Sequence, residues 1–303
     1  MIPLVDYLKT YDNLALRYSI WIADQRINSS ANRSIVFLNG RAEFLEKHNE
    51  TIQELNQKGF NVFSIDWRGQ GLSSRMLPEP HKGYVESYTD YLKDLHQFIS
   101  QIVCPQTQGP LAILAHSMGG HIALRYVHDH PGVVEKLILL SPMIDIVTAP
   151  FPKWLVRNMV RLLMRWGFQY RYVLGAGKSL LSKEKFRGNR LTSDPLRFMD
   201  EKKAISANPN LAVGGVTYGW LAATLDSINI LIRPGYVDRI IEPVQMVIAG
   251  QDRIVSIKAP KMLCSAMVNG RYTVIPSARH EILKETDAIR STFWEVFDHL
   301  MQE

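Results

Sequence analysis

Leu111-Ala112-Ile113-Leu114-Ala115-His116-Ser117-Met118-Gly119-Gly120-His121-Ile122-Ala123-Leu124 passes from an apolar run, through small residues around a serine, into helix-forming sequence. Read as strand, sharp turn and helix, it puts Ser117 at the apex. The turn of a G-x-S-x-G nucleophile elbow is strained, and its strand passes close to the outgoing helix, so the flanking residues must be small. Ala115 holds the first glycine position with the least bulky replacement. Such a turn exposes the serine Oγ, and the Met118 N–H at a helix N-terminus faces the place where an oxyanion forms. An ordinary tight turn has the same local pattern, so the rest of the chain has to decide.

Outward from this stretch the chain alternates. Short β-rich runs at 16–22, 34–38, 61–66, 136–140, 244–249 and 271–275 predict strands. Helical spacing at 43–58, stopped by Gly59, at 87–103, opened by Ser87 and Asp90, at 259–268 and at 287–301 predicts helices between them. The alternation predicts an α/β fold, a mostly parallel sheet with helices on both faces. It lapses from 143 to 233, so the expected organisation is a core of 1–142 and 236–303 interrupted by an inserted helical cap, 143–235. Ligands of such sheets collect at the carboxyl ends of the strands, and an insertion leaving a strand end covers that place as a lid.

With 46% hydrophobic residues in 303, the chain can bury a large core. Cys104 and Cys264 make neither a disulfide framework nor a metal cluster and are read as reduced, buried thiols. No metal or organic cofactor is expected. Residues 1–8 lack the pattern of a secretory signal, and no run reaches the ~20 apolar residues of a membrane span. The net charge of +6 is uneven: residues 151–210 hold thirteen Lys and Arg against four Asp and Glu, whereas the remainder is slightly acidic.

A serine hydroxyl needs a histidine base, and the histidine a carboxylate that fixes its tautomer. Asp252 follows the run 244–249 and His280 follows 271–275, both just past the carboxyl end of a strand. Asp145 is a competing acid. His116 and His121 flank the serine too closely to present Nε2 to its Oγ and are read as structural, and Asp226 has no strand end to hold it. A second oxyanion donor should come from Asn39-Gly40-Arg41, after the strand 34–38, which assigns the pair of amides to Met118 and Arg41.

The inserted segment opens with Lys153, Arg157, Arg161 and Arg165 at every fourth position, a basic stripe on a helix otherwise covered by Trp, Leu, Met and Val. Two readings stay open: a helix lying in an anionic lipid interface, and a cap helix packed on the core with a solvated basic face. No nucleic-acid-binding motif is present, and no nucleic-acid partner is expected.

Asn39-Gly40-Arg41-Ala42-Glu43, the stretch from Asp66 to Ser73, Ala115-His116-Ser117-Met118-Gly119-Gly120, Gly250-Gln251-Asp252 and His280-Glu281 together resemble the monoacylglycerol-lipase-like α/β-hydrolases of the S33 (hydrolase-4) group. The likeness is greatest to bacterial inner-membrane lysophospholipases and extends to Pro80-His81-Lys82-Gly83-Tyr84-Val85 and to residues 213–220. The order Ser117, Asp252, His280 is the α/β-hydrolase order. The resemblance implies an α/β-hydrolase core under a cap, nucleophile, acid and base on those three residues, and a lipid ester as substrate. A lysophospholipid fits the basic insertion best. Monoacylglycerol lipase, general carboxylesterase or thioesterase, and a non-catalytic member of the fold are the alternatives. Trp154, Leu155, Trp166, Tyr218 and Trp220 are expected to line an acyl channel. The expected location is cytoplasmic, at most peripheral on the inner membrane, with the oligomeric state open.

Overall fold

β5 (Leu111–His116) lies in the middle of an eight-stranded sheet with all of its residues buried. The computed structural model describes residues 3–24, 33–177 and 185–302. β5 is parallel to β3 (Ser34–Leu38) on one side and β6 (Lys136–Leu140) on the other, with Leu38 opposite Ala115 and His116 opposite Leu140. β4 (Asn61–Ile65) extends the parallel array beyond β3, and β7 (Val244–Ala249) and β8 (Gly270–Ile275) extend it beyond β6. Past β4 the sheet ends antiparallel in β2 (Ala15–Trp21) and β1 (Leu4–Lys9). β1 is absent from the sequence expectation because it is an edge strand with a single buried residue, Leu8. No buried stripe marks it.

The two-residue period of the strands splits the core into two layers. Ile113, Ala115, Leu137 and Leu139 pack beneath α2 (Tyr88–Phe98) and α3 (Met118–Asp129), and α7 (Lys258–Ala266) adds Leu263 to this layer. Ala112, Leu114, Ile138 and Leu140 meet α1 (Asn49–Gln57) and, from α8 (Asp287–Gln302), Phe293, Phe297 and Leu300. Each such buried Leu or Phe stabilises the fold by about 1.5–3 kcal/mol. The helix expected at 43–58 is divided: a 3₁₀ turn, Leu45–His48, precedes α1, because the Leu45 N–H is taken by Asp66 Oδ1 (3.0 Å). The expectation of two buried cysteines is met by Cys264, whereas Cys104 sits at the surface in a 3₁₀ turn beyond α2.

Between β6 and β7 come α4 (Lys153–Arg165), α5 (Pro195–Ala207) and α6 (Tyr218–Leu231), none of which enters the sheet. α6 is pinned to the core through Ser227, whose Oγ accepts from Arg125 (2.8 Å) and lies 2.6 Å from His121 Nε2. The other nitrogen of His121 donates to the Met143 carbonyl (3.0 Å), and burial together with Arg125 pushes its pKa down to about 3. His121 is therefore a neutral structural group. Residues 80–85 and 213–217 also meet: the Gly83 N–H donates to Gly215 O (3.0 Å) and Thr217 N–H to Gly83 O (2.9 Å).

α4 packs on α6 through a narrow apolar strip. Val156 and Val160 face Tyr218 and Leu225, Lys153 pairs with Asp145, and Arg157 donates to Asn229 (2.6 Å). The basic stripe is a flank. A second apolar face, formed by Leu155, Met159, Leu162 and Trp166, is turned outward.

Candidate active site

The turn between β5 and α3 puts Ser117 at φ 51°, ψ −113°, a left-handed conformation that an L-residue adopts only under constraint. The constraint is visible: Ser117 N–H donates to Leu140 O (2.9 Å), and its own carbonyl accepts from Met143 (3.0 Å). Two residues on, a Cβ at Gly119 would sit 2.5 Å from Leu38 O and 2.7 Å from Asn39 O. Only glycine lets α3 start this close to the end of β3.

His280 follows β8 and Asp252 follows β7. His280 Nε2 is 3.0 Å from Ser117 Oγ, and Nδ1 is 2.7 Å from Asp252 Oδ2. The second carboxylate oxygen of Asp252 accepts from the Ile254 (2.8 Å) and Val255 (3.0 Å) amides. Burial favours the protonated acid, yet the His280 hydrogen bond and charge and the two amides outweigh it, so Asp252 titrates below its ordinary range. All three residues are buried. Asp145 is held instead by Lys153.

The loop after β3 is fixed from both sides of Arg41. Gly40 N–H donates to Glu43 Oε2 (2.5 Å) and Ala42 N–H to Gln70 Oε1. Among the described residues the Arg41 N–H between them has no acceptor, and neither has the Met118 N–H that opens α3. Asn39 is a tie within the fold: its side chain donates to Ile65 O (3.3 Å), and its carbonyl accepts from Trp67 Nε1 (2.8 Å).

Sequence reasoning missed the charge network behind this loop. His116 Nδ1 is 3.1 Å from Glu43 Oε2 and Nε2 is 3.1 Å from the His280 carbonyl. Both partners are acceptors, an arrangement that favours a proton on each nitrogen. Burial opposes that charge, but Glu43 raises the pKa above the ordinary value. Lys47 Nζ lies 3.1 Å from Glu43, 3.2 Å from Glu201 on α5 and 2.6 Å from Glu281. These three carboxylates keep it charged despite burial. Glu43 four residues before Lys47 is a legible pair; Glu201 and Glu281 join it only through the fold.

The cleft over Ser117 has a volume of about 230 Å³, and the residues lining it include Arg41, Leu191, Val213, Ile254 and His280. The expected acyl-channel aromatics are not among its described lining. Trp154 and Trp166 are 66% and 65% exposed on the outside of α4. Tyr218 is buried in the α4–α6 seam, and Trp220 lies one layer back, beneath the Arg41 guanidinium. Aromatic content showed that these helices pack against something, not which face does so. A groove of about 740 Å³ beside α2, bordered by Tyr11, His96 and His130, is lined by no member of the Ser117 chain.

An eight-stranded, mostly parallel sheet with a serine on its central strand-to-helix turn is the architecture of an α/β-hydrolase. The chain belongs to the serine aminopeptidase S33 family, whose model matches residues 29–287. It is 33% identical over 272 residues to lysophospholipase L2 of Escherichia coli K12, covering 86% of this chain and 77% of that one. It is 25% identical over 169 residues to monoglyceride lipase of Rattus norvegicus, covering 55% and 54% of the two chains. A soluble variant of Saccharomyces cerevisiae monoglyceride lipase, solved with a substrate analog, has the same fold, with a TM-score of 0.77 at 19% identity over 99% of this chain and 95% of that one. The chain is a serine ester hydrolase of the lysophospholipase and monoglyceride lipase type. No helix among the described residues is long and apolar enough to cross a membrane.

Proposed function

We propose that this protein hydrolyses the acyl ester of a lysophospholipid, with Ser117 as nucleophile, His280 as base and Asp252 as the carboxylate that orients it. The hydrogen-bonded series from Ser117 through His280 to Asp252 carries this reading. Ser117 Oγ attacks the acyl carbon as its proton passes to His280 Nε2, and Asp252 stabilises the resulting imidazolium. The Met118 and Arg41 amides hold the oxyanion; each such donor is worth about 10²–10³ in rate. His280 returns the proton to the departing glycerol oxygen, and water, activated by the same histidine, releases the fatty acid and restores Ser117.

Residues 143–235 act as a cap over this centre. The outward apolar face of α4, flanked by Lys153, Arg157, Arg161 and Arg165, has the composition of a helix that rests in an anionic lipid surface, and would bring the cleft to its substrate. The likeness to monoglyceride lipases supports a second reading, in which the same centre acts on monoacylglycerol.

Fatty-acid release from lysophosphatidylethanolamine and from monoacylglycerol, measured side by side with Ser117→Ala as control, decides between them. Faster turnover of the phospholipid, abolished in the variant, is the expected result. Preference for monoacylglycerol selects the second reading, and activity surviving in the variant removes Ser117 from the mechanism.

A further inference from the structure

The Arg41 side chain runs into the cleft, where Nη1 donates to the Gly214 carbonyl (3.0 Å) and the guanidinium stands 5.8 Å from the centre of the Trp220 ring. It makes no ion pair with a described carboxylate. Two arginines set deeper than Arg41 do: Arg17 is held by Glu46 and Asp66, and Arg68 by Asp12 and Asp94. The carboxylates that border the same cleft, Glu43, Glu201 and Glu281, are drawn to Lys47. A cation held partly out of water without an anion is costly to keep. In keeping with that cost, burial lowers the Arg41 pKa from its ordinary value. A guanidinium presents five N–H donors in a planar fork matched to phosphate, and the protein uses one of them here.

We infer that the Arg41 guanidinium is the receptor for the phosphate of the substrate, binding its oxygens while the backbone N–H of the same residue faces the acyl oxygen. The inference rests on the lysophospholipid reading above and names the group that selects for it. The two are comparable in chain length: as many covalent bonds separate Arg41 N from Cζ as separate the acyl carbon from the phosphorus of a 1-acyl lysophospholipid. Trp220 beneath the guanidinium and the Gly214 carbonyl fix its plane.

The test compares wild type, Arg41→Gln and Arg41→Lys on lysophosphatidylethanolamine and monoacylglycerol of equal chain length in the same detergent micelles. In Arg41→Gln the ratio of kcat/KM for the phospholipid to that for the glyceride falls about 10- to 100-fold, mainly through KM. Arg41→Lys, which keeps charge but not the fork, restores part of the ratio. Equal losses on both substrates overturn the inference and reduce the side chain to a support for its loop. A wild type that does not prefer the phospholipid defeats the substrate reading instead. Inhibition of p-nitrophenyl butyrate hydrolysis by glycerol 3-phosphate, relative to glycerol, then decides about Arg41. Inhibition by the phosphate that disappears in Arg41→Gln keeps the receptor, and inhibition equal in the two proteins removes it.

Discussion

Sequence pattern assigns both Ser117 and Trp154 to the cleft, and the structure treats them differently. Ser117 is buried 3.0 Å from His280 Nε2, while Trp154 is 66% exposed on the outside of α4. The floor of the cleft is made of strand ends. Where a parallel strand stops, the next residues emerge at one edge of the sheet whatever the rest of the chain does, so Ser117, Asp252 and His280 converge from three segments far apart in sequence. A cap helix has no such rule. Its spacing tells which residues share a face, and only its neighbours decide which face turns inward.

The comparison breaks first on activity. Ser117→Ala should lose about 10⁴-fold or more in turnover of any ester, and Asp252→Asn about 10³- to 10⁴-fold, read as kcat on a soluble p-nitrophenyl ester. Trp154→Ala should change the same rate less than about twofold, since the residue is exposed and outside the described lining of the cleft. A large loss in Trp154→Ala would move that side chain back to the substrate.

The next effect is on stability. Gly119→Ala forces a methyl group against two backbone carbonyls that cannot yield, and should destabilise by about 1–3 kcal/mol in urea denaturation. Gly177→Ala, where a Cβ meets nothing within 4 Å, should stay within about 0.5 kcal/mol. Equal effects would mean that the floor is no more tightly specified than the segment above it.

The same contrast explains what could be read in advance. Seven of the eight strands, the sharp turn after β5 and the strand-end positions of Asp252 and His280 follow from aliphatic runs, turn residues and order along the chain. β1 was illegible because an edge strand with one buried residue carries no period. α5 and α6 were illegible for another reason: α6 buries Tyr218, Trp220, Thr224 and Ser227 on several sides, which blurs its stripe. The buried network of His116, Glu43, Lys47, Glu201 and Glu281 assembles from four separate segments, and only the Glu43–Lys47 spacing announces any of it.

On membranes, the outward face of α4 supplies a smaller, graded effect. Replacing Leu155, Met159 and Leu162 by serine should weaken flotation with anionic vesicles at least about tenfold, because each removes apolar area from the interface. Neutralising Arg161 and Arg165 should cost about 1 kcal/mol per charge, an amount that vanishes in high salt. Wild-type flotation insensitive to both changes would leave α4 as an ordinary solvated cap helix.

The least effect, and the one that probes the seam between floor and cap, is on pH. Burial pushes Glu201 from its ordinary 4.5 up to about 7, with Glu281 and Glu43 acting in the same direction and Lys47 against it. A group whose folded pKa is raised holds its proton more tightly in the folded state, so its contribution is complete below 4.5 and lost as pH rises to about 7. His116, raised by Glu43 against the effect of burial, follows the same sign: its contribution is present below 6.5 and lost as pH climbs through its folded value. Glu43 itself, held well below 4.5, acts oppositely, but in an acid window that does not overlap. The Glu201 contribution should therefore be lost between about pH 4.5 and pH 7, against the opposite contribution of His121, whose folded pKa of about 3 adds stability as pH rises toward 6.5. Glu201→Gln, which keeps the shape and removes the titration, should remove that part of the pH dependence of urea midpoints. Because Glu201 belongs to α5 and reaches Lys47 at the floor, the loosening should be local. Hydrogen exchange corrected for its intrinsic pH dependence should show α5 amides losing protection before those of β5. If the two lose protection together, cap and floor unfold as one cooperative unit, and the difference between them belongs to how they are encoded rather than to how they hold together.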